Sequence, residues 1–335
     1  MSATPASTAA TRTGTAATPA GAAATRTRAE APRPRKRRSR TPFAPYVFVG
    51  PAVVLFVLFM LLPILYAAYI SFTAYKLEGG GILGTKVQVF AGWDNYIAVF
   101  NDPALGTGFW HLALYSIIAV PVTLGLALLF ALLLDTPRVR ATRFAQTAIF
   151  IPYAVPGVIA ALLWGFMYLP STSPFSFITE ALGWGTIPFL EESGIYGSIA
   201  NIAIWGGVGF NMIIIYTSLR SIPTEIYEAA RIDGANEAQI ALRVKVPLVV
   251  PALVLTGIFS VIGALQLYSE PTTLKPMTDV ISQTWVPLMT IYRNAFLTDD
   301  LPGAAALSVL LAVGTVAVSG LVLWISGRRN KGAQS

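Results

Sequence analysis

Six stretches of the sequence carry no charged residue, and each is long enough to cross a bilayer as a helix. An α-helix needs about 20 apolar residues to span about 30 Å of hydrocarbon, and one ionised side chain at its centre costs about 2.5–3.5 kcal/mol. Only 12% of the 335 residues are charged, against about 25% in soluble domains. The stretches lie at about residues 46–70, 112–134, 144–169, 197–219, 248–269 and 304–326. The sequence therefore predicts an all-α membrane protein with six transmembrane helices.

Prolines, but no ionisable side chains, lie inside the predicted spans. Pro152 and Pro156 both fall in the third span, and we predict one span there because membrane helices tolerate proline better than soluble helices do. Proton- or ion-coupled carriers usually keep a carboxylate, Lys or Arg at the centre of a span. An ion-coupled secondary transporter or a channel is thus the disfavoured alternative, and a neutral substrate fits better than an ionic one.

Lys and Arg are concentrated in alternate loops, which predicts the orientation of the chain. The tail 1–42, whose composition indicates disorder, holds nine of the 23 basic residues, and its cluster 33–40 is suited to anionic lipid. A nucleic-acid signal is the alternative there, but residues 43–335 sum to −1, so we expect no nucleic-acid partner. With the N-terminus inside, the cytoplasmic segments hold nineteen of the 23. This positive-inside pattern predicts cytoplasmic N- and C-termini and a cytoplasmic loop 220–247.

The loop 220–247 has the features of two short helices outside the bilayer. Pro223 suits the first position of a helix, where its missing N–H costs nothing, and Glu228 lies near the positive end of the helix dipole. Gly234 ends this helix, because glycine adopts the left-handed conformation of a C-terminal cap. A second helical stretch is predicted over Asn236 to Arg243. Such a segment is suited to contact with a soluble partner.

The same loop carries a spaced motif. Glu228-Ala229-Ala230 is followed by three residues, Gly234, nine residues and Val244-Lys245-Val246-Pro247. This pattern resembles the EAA loop of ABC importer permeases, with Val244 and Val246 replacing Ile and Leu. An ordinary charged cytoplasmic loop is the alternative. The residues that the resemblance assigns to coupling with an ATPase are Glu228, Ala229, Ala230, Arg231, Asp233, Gly234 and Pro247.

Two further segments extend the resemblance to nearly all of the chain after residue 43. The aromatic stretch 90–102 resembles the segment after the first span in sugar-type permeases, and 280–296 resembles their amphipathic stretch before the last span. The resemblance implies a type I, maltose-type (MetI-like) permease of a bacterial cell membrane that imports a carbohydrate. It also implies ABC ATPase subunits, a second homologous permease subunit and an extracytoplasmic solute-binding protein as partners.

The fourth and fifth spans contain candidate substrate contacts. Aromatic faces and amide groups together bind sugars, and the fourth span offers both beside three glycines. In maltose-type permeases the substrate sits between this helix and the next. The transporter contains two permease subunits in that family, and the substrate can be held by only one of them. An ordinary helix interface is the alternative for each residue. The predicted pathway residues are Ala203, Trp205, Gly206, Gly207, Phe210, Asn211, Ser260, Gly263, Gln266 and Leu267, with Ala264 on the same stripe.

No motif in the sequence predicts catalysis or a cofactor. Gly79, Gly81 and Gly84 have the spacing of a dinucleotide fingerprint, but no strand–helix context surrounds them, so we predict a loop. His111 is the only histidine, and the chain has no cysteine, so neither a nucleophile–base pair nor a metal pair is recognisable. An intramembrane enzyme is therefore disfavoured, and we predict that ATP is bound by another subunit.

Overall fold

The computed structural model describes residues 44–79, 85–136 and 141–331. Within these ranges, side chains are described for residues 46–326. The chain separates into two units, Met1–Val53 and Val54–Ser335. The described part of the first unit is helical. The predicted tail 1–42 with its basic cluster, and Gly81 and Gly84 of the glycine-rich loop, lie outside the described residues.

Helices make up most of the described residues. They are α1 (Ala44–Phe56), α2 (Leu62–Ile70), α3 (Asp94–Asn101), α4 (Pro103–Leu134), α5 (Thr142–Phe150), α6 (Gly157–Tyr168), α7 (Pro174–Ala181), α8 (Ile195–Arg220), α9 (Thr224–Ile232), α10 (Glu237–Gln239), α11 (Val246–Leu248), α12 (Val250–Leu265), α13 (Ser269–Leu274), α14 (Pro287–Phe296) and α15 (Leu301–Lys331). The strands are β1 (Thr73–Glu78) and β2 (Thr85–Phe90). Short π-helical segments lie at Val57–Leu61 and Ile240–Lys245, and short 3₁₀-helical segments lie at Ile151–Ala154 and Lys275–Met277.

Five stretches of the described residues have the length and apolarity of a transmembrane helix. They are Tyr46–Ile70, Pro103–Leu134, Ile195–Arg220, Val250–Met277 and Leu301–Ser326. Each overlaps a predicted span. The second begins at Pro103 rather than at residue 112, because the Asp102 carboxylate accepts a hydrogen bond from the Ala104 N–H at 2.9 Å. Proline at the first helical position supports this earlier start, since no N–H is needed there.

The prediction of a single third span is wrong in one respect, because that span is broken. Thr142–Ala154 and Gly157–Tyr168 meet at 96°. The ring of Pro156 disfavours a helical conformation at the residue before it, and Val155 is extended with ψ 125°. Non-helical backbone at membrane depth is tolerated where it is buried in protein or lines a cavity. The two prolines therefore produce a sharp turn instead of a tolerated kink.

A β-hairpin follows the first span and was not predicted by the hydropathy pattern. β1 pairs with β2 in antiparallel register from Thr73 opposite Phe90 to Glu78 opposite Thr85. The side-chain amide of Asn95 at the start of α3 donates to the carbonyls of Ser71 and Thr73 at 2.8 and 2.7 Å. These bonds fix the hairpin to α3, and the aromatic stretch 90–102 contains the end of β2 and all of α3.

Small residues allow the helices around the core to approach closely. A Cβ added at Gly209 of α8 would lie 2.3 Å from the Ile149 carbonyl oxygen, and one at Gly165 of α6 would lie 2.9 Å from Leu274 Cδ2. Gly209 thus lets backbone pack on backbone, and Gly165 leaves room for a neighbouring side chain, as small residues do in membrane helices. The buried side chains between α4, α6, α8, α12 and α14 form the largest hydrophobic cluster. α8 lies against the third span near its break, because Gly209 contacts the backbone of Ile149 and Phe150.

Candidate functional site

A cavity of about 660 Å³ lies between α4, α8, α12 and the two segments of the broken third span. Polar groups from several helices line it together with a larger apolar surface. The polar lining side chains are Tyr115, Thr123, Tyr153, Asn211, Ser260, Gln266, Ser269 and Glu270. A concave, mostly apolar site with a few converging polar groups is the usual form of a small-molecule site.

Two interrupted helices meet at this cavity. One interruption is the turn between α5 and α6, and the other separates α12, which ends at Leu265, from α13, which begins at Ser269. Residues from both interruptions line the cavity, and a Cβ added at Gly157 would lie 3.8 Å from the Ser269 Cβ. Discontinuous membrane helices of this kind form the substrate sites of many transporters.

Most of the predicted pathway residues lie on the wall of this cavity, but Trp205 does not. Its indole packs edge-on against Trp164, with ring centroids 6.0 Å apart and an interplanar angle of 77°. Trp205 therefore packs against the hydrophobic cluster and is not among the residues that line the cavity. The predicted residues that line the cavity are Ala203, Gly206, Gly207, Phe210, Asn211, Ser260, Gly263, Ala264, Gln266 and Leu267.

The cavity contains an aromatic face that the sequence analysis found only in part. Phe210 of α8 stacks on Tyr153 with centroids 4.9 Å apart and rings inclined by 16°. Phe259 of α12 lies 6.4 Å from Phe210 and also lines the cavity. Tyr153 and Phe259 were missed. The signal for Tyr153 was its position between Pro152 and Pro156, where the chain must turn.

Asn211 is partly engaged within the protein. Its Nδ2 donates to the Gly207 carbonyl at 2.9 Å, and its Oδ1 accepts from Ser260 Oγ at 3.5 Å. The second bond is long, and it joins α8 to α12 across the cavity. Asn211 therefore has hydrogen-bonding capacity left for a bound solute on this wall.

Glu270 places a carboxyl group on the cavity wall, away from the centre of the span. It lies in Val250–Met277, a stretch that has the length and apolarity of a span, and in the first turn of α13. The predicted fifth span ended at residue 269, so Glu270 fell just outside it. The signal that would have found it is Pro271, which favours the start of a new helix two residues earlier.

The charged segment after α8 forms a compact helical unit. Pro223 precedes α9 as its N-cap residue rather than occupying the first helical position, which corrects that detail. At the other end Gly234 has φ +83°, the Gly234 N–H donates to the Arg231 carbonyl, and the Ala235 N–H donates to the Ala230 carbonyl, both at 3.0 Å. This pair of bonds is a Schellman motif.

The second helical stretch is capped at its start and continues through a π-helical segment toward the fifth span. The Asn236 side chain accepts from the Gln239 N–H, and the Gln239 side chain accepts from the Asn236 N–H, both at 2.9 Å. This reciprocal capping box starts α10. The π-helical turn Ile240–Lys245 and α11 then extend the helical path past the predicted end at Arg243. Pro247 is exposed in α11.

Arg231 has an ion-pair partner within the segment. Its Nη2 lies 3.1 Å from the Glu237 Oε1, and both side chains are partly exposed. Glu228, Ala229 and Asp233 are exposed on the surface of the unit, and Ala230 is partly buried.

A buried ion pair ties the segment to the end of α4. Lys245 Nζ lies 2.6 Å from Asp135 Oδ2, and the two side chains are only 8% and 5% exposed. Arg220 Nη1 lies 3.8 Å from Asp135 Oδ1, and Lys245 Nζ lies 4.8 Å from the centre of the Tyr227 ring. Burial and the nearby Asp135 carboxylate raise the pKa of Tyr227. The role of Asp135 was missed, because a lone acid after a span gives no pairing signal.

The sequence profile of the family described as "Binding-protein-dependent transport system inner membrane component" matches residues 124–331. The chain belongs to this family. The sn-glycerol-3-phosphate transport system permease protein UgpA of Salmonella choleraesuis (strain SC-B67) is 29% identical over 276 residues, which cover 81% of this chain and 90% of that protein. The probable ABC transporter permease protein YurN of Bacillus subtilis (strain 168) is 27% identical over 290 residues, which cover 84% and 95%.

The fold of this family member also resembles a solved importer. A chain of a bacterial ABC transporter involved in the import of the acidic polysaccharide alginate superposes with a TM-score of 0.72 at 20% identity, covering 85% of this chain and 96% of that chain. The predicted fold class, a mostly helical type I importer permease, is confirmed. The chain is accordingly a multi-pass membrane transport component of the ABC permease class and not an enzyme, and the resemblance drawn from the EAA-like loop identified the correct family.

Proposed function

We propose that this chain is one permease subunit of an ATP-driven importer of a carbohydrate or a related polyhydroxylated solute. The observation that carries the proposal is the continuity of α8 with α9: α8 lines the cavity, and it leads at Arg220 into the exposed, capped helix Thr224–Ile232. A movement imposed on α9 by a partner would therefore reach the cavity through one helix. The ATPase that moves it is a separate subunit in this proposal.

The cavity supports the assignment of the substrate pathway to α8 and α12. Sugars present apolar ring faces and hydroxyl edges, and the Phe210–Tyr153 stack supplies a matching aromatic surface beside the polar groups Asn211 and Ser260. The relatives named for glycerol-3-phosphate and for alginate carry polyhydroxylated substrates. Glycines at positions 206 and 207 leave room on the α8 wall, since a Cβ at Gly206 would meet nothing within 4 Å.

The surface of α9 supports the assignment of the coupling role to residues 220–247. Ile232 is 87% exposed at the end of α9, and Glu228, Ala229 and Asp233 share the exposed surface. Ile226 and Leu242 of the same segment are also exposed, at 40% and 66%, and exposed apolar patches rimmed by polar residues mark protein–protein interaction sites. The Schellman motif and the capping box fix the shape of the unit, so it can transmit force as a rigid body.

The assembly that we infer has two ATPase subunits, a second homologous permease and an extracytoplasmic solute-binding protein in a bacterial cell membrane. Four basic residues in 220–247 favour a cytoplasmic position for this loop, and the same rule favours cytoplasmic N- and C-termini. The family description, which names a binding-protein-dependent transport system, supports the solute-binding partner.

Replacement of Gly234 by proline tests the coupling role. Proline holds φ near −65°, and Gly234 has φ +83°, so Gly234→Pro breaks the Schellman motif. We expect solute uptake to be lost while the chain remains inserted in the membrane, and Glu228→Lys to have the same effect by reversing a charge on the docking surface. Uptake is measured in cells in which the variant replaces the wild-type chain.

A matched control is Gly183→Pro, which breaks another left-handed glycine with φ +76° in the loop 170–196, away from the proposed ATPase face. We expect this variant to retain most of its uptake. Normal uptake by both Gly234→Pro and Glu228→Lys would contradict the coupling role of this segment.

A further inference from the structure

We propose that Glu270 makes the cavity a site for an uncharged polyhydroxylated solute and excludes phosphorylated or uronic-acid substrates. This inference rests on the proposed function, because it assumes that the cavity is the substrate pathway. It goes further by assigning the charge class of the substrate and the residue that selects it.

The carboxyl group of Glu270 lies on the cavity wall without a balancing cation. No Lys, Arg or His is among the cavity-lining residues that the structure describes, and the ion pairs found among the described side chains do not include Glu270. Other polar groups that line the cavity are neutral, among them the hydroxyls of Tyr115 and Ser269 and the amide of Gln266. When this carboxyl group is ionised, no cation among these lining residues offsets its charge, and the field inside the cavity is then negative.

The fold holds the carboxyl group in place through the break in the fifth span. α12 ends at Leu265, and Glu270 occupies the first turn of α13, where the helix dipole favours a carboxylate. α13 packs against α6 on the other side of the cavity, with Leu274 fully buried and close to Gly165. The side chain is thus fixed by a short, packed helix and not by a mobile loop.

A carboxylate at this place distinguishes solutes by charge. Each hydroxyl of a neutral sugar or polyol can donate to it, and hydrogen bonds to an ionised acceptor are roughly twice as strong as neutral ones. A phosphate or uronate at about 4 Å meets a repulsion that lowers its occupancy by roughly a hundredfold to a thousandfold at an effective dielectric constant of about 20. The relatives named for glycerol-3-phosphate and for an acidic polysaccharide transport anions, so we expect this chain to differ from them in substrate class.

The test is uptake of four labelled probes by bacterial cells that carry the complete transporter. The probes are maltose and trehalose as neutral solutes, and sn-glycerol 3-phosphate and an alginate disaccharide as anions. Cells that lack the chain are compared with cells that carry the wild type, Glu270→Gln, Glu270→Asp or the control Glu180→Gln, which removes an exposed carboxylate at the end of α7. Rates are taken at saturating solute and divided by the amount of inserted chain.

We expect a neutral probe to enter in a chain-dependent manner, with the anions excluded. Glu270→Gln should lower the maximal rate for that probe about tenfold, Glu270→Asp should stay within about threefold of wild type, and Glu180→Gln should be unchanged. Chain-dependent uptake of an anion, or a Glu270→Gln rate equal to that of wild type, would overturn the role of Glu270 and leave the proposed function intact. Absence of chain-dependent uptake for all four probes would overturn the proposed carbohydrate function itself, and this inference with it.

Discussion

Replacement of Lys245 by methionine tests whether the buried pair with Asp135 fastens the coupling segment to α4. Methionine keeps most of the length of the side chain and removes its charge. The Asp135 side chain is 5% exposed and would lose its 2.6 Å partner. Removing one member of a buried ion pair costs about 3–5 kcal/mol. Because the Arg220 guanidinium, 3.8 Å away, can neutralise part of the charge, we expect the lower end, about 3 kcal/mol.

The assay is thermal unfolding of the purified chain in a lipid disc. With about 2.1 cal/mol/K of unfolding entropy per residue, 1 kcal/mol corresponds to about 1.4 °C in Tm for a chain of 335 residues, so Lys245→Met should lower Tm by about 4 °C. The double variant Asp135→Leu, Lys245→Met removes both charges and should be less destabilised than the single variant. The control is Lys86→Met, which breaks the exposed pair with Asp299 and should leave Tm unchanged. Equal Tm values for Lys245→Met and Lys86→Met would refute this reasoning.

Two further predictions concern packing and pH. Gly209→Ala places a methyl group 2.3 Å from the Ile149 carbonyl oxygen, so it should destabilise the chain by about 1–3 kcal/mol in the same unfolding assay; Gly206→Ala, which meets nothing within 4 Å, should not. The folded chain binds the Tyr227 phenol proton more tightly than the unfolded chain does, since the pKa of Tyr227 is raised from 10.0. The contribution of this bound proton to stability is complete below pH 10 and is lost as the pH rises through the raised pKa of Tyr227. The variant Tyr227→Phe should therefore show a smaller fall in Tm above pH 10 than the wild type does.

The sequence was sufficient for the spans and the coupling segment because both are local patterns. An uncharged run of about 20 residues and a spaced Glu-Ala-Ala…Gly motif can be recognised without knowing what packs against them. On α8 the family resemblance predicted lining positions such as Phe210, and the chemistry of the side chains suggested Trp205 and Asn211. Phe210 and Asn211 line the cavity, whereas Trp205, on the same helix, packs against Trp164.

The remaining features depend on contacts between distant parts of the chain. Asp135 and Lys245 are 110 residues apart, and neither has a local signal for the other. The break at Pro152 and Pro156 was misjudged because proline in a membrane helix can produce either a kink or a turn, and packing against Gly209 decides between them. Glu270 was excluded because the predicted spans are runs without charge, and its own charge ends the fifth run at residue 269.

Chemical cross-linking from position 232 tests most directly whether the exposed end of α9 is the contact with the ATPase. The natural chain has no cysteine, so Ile232→Cys gives a single thiol at a side chain that is 87% exposed. Trp184→Cys, at a side chain that is 77% exposed in the loop 170–196, is the matched control. We predict that a short bifunctional reagent joins position 232 to an ABC ATPase subunit in native membranes, with a yield that changes when ATP binds, and that position 184 gives no such product. ATPase cross-linking at position 184 and none at position 232 would contradict the account.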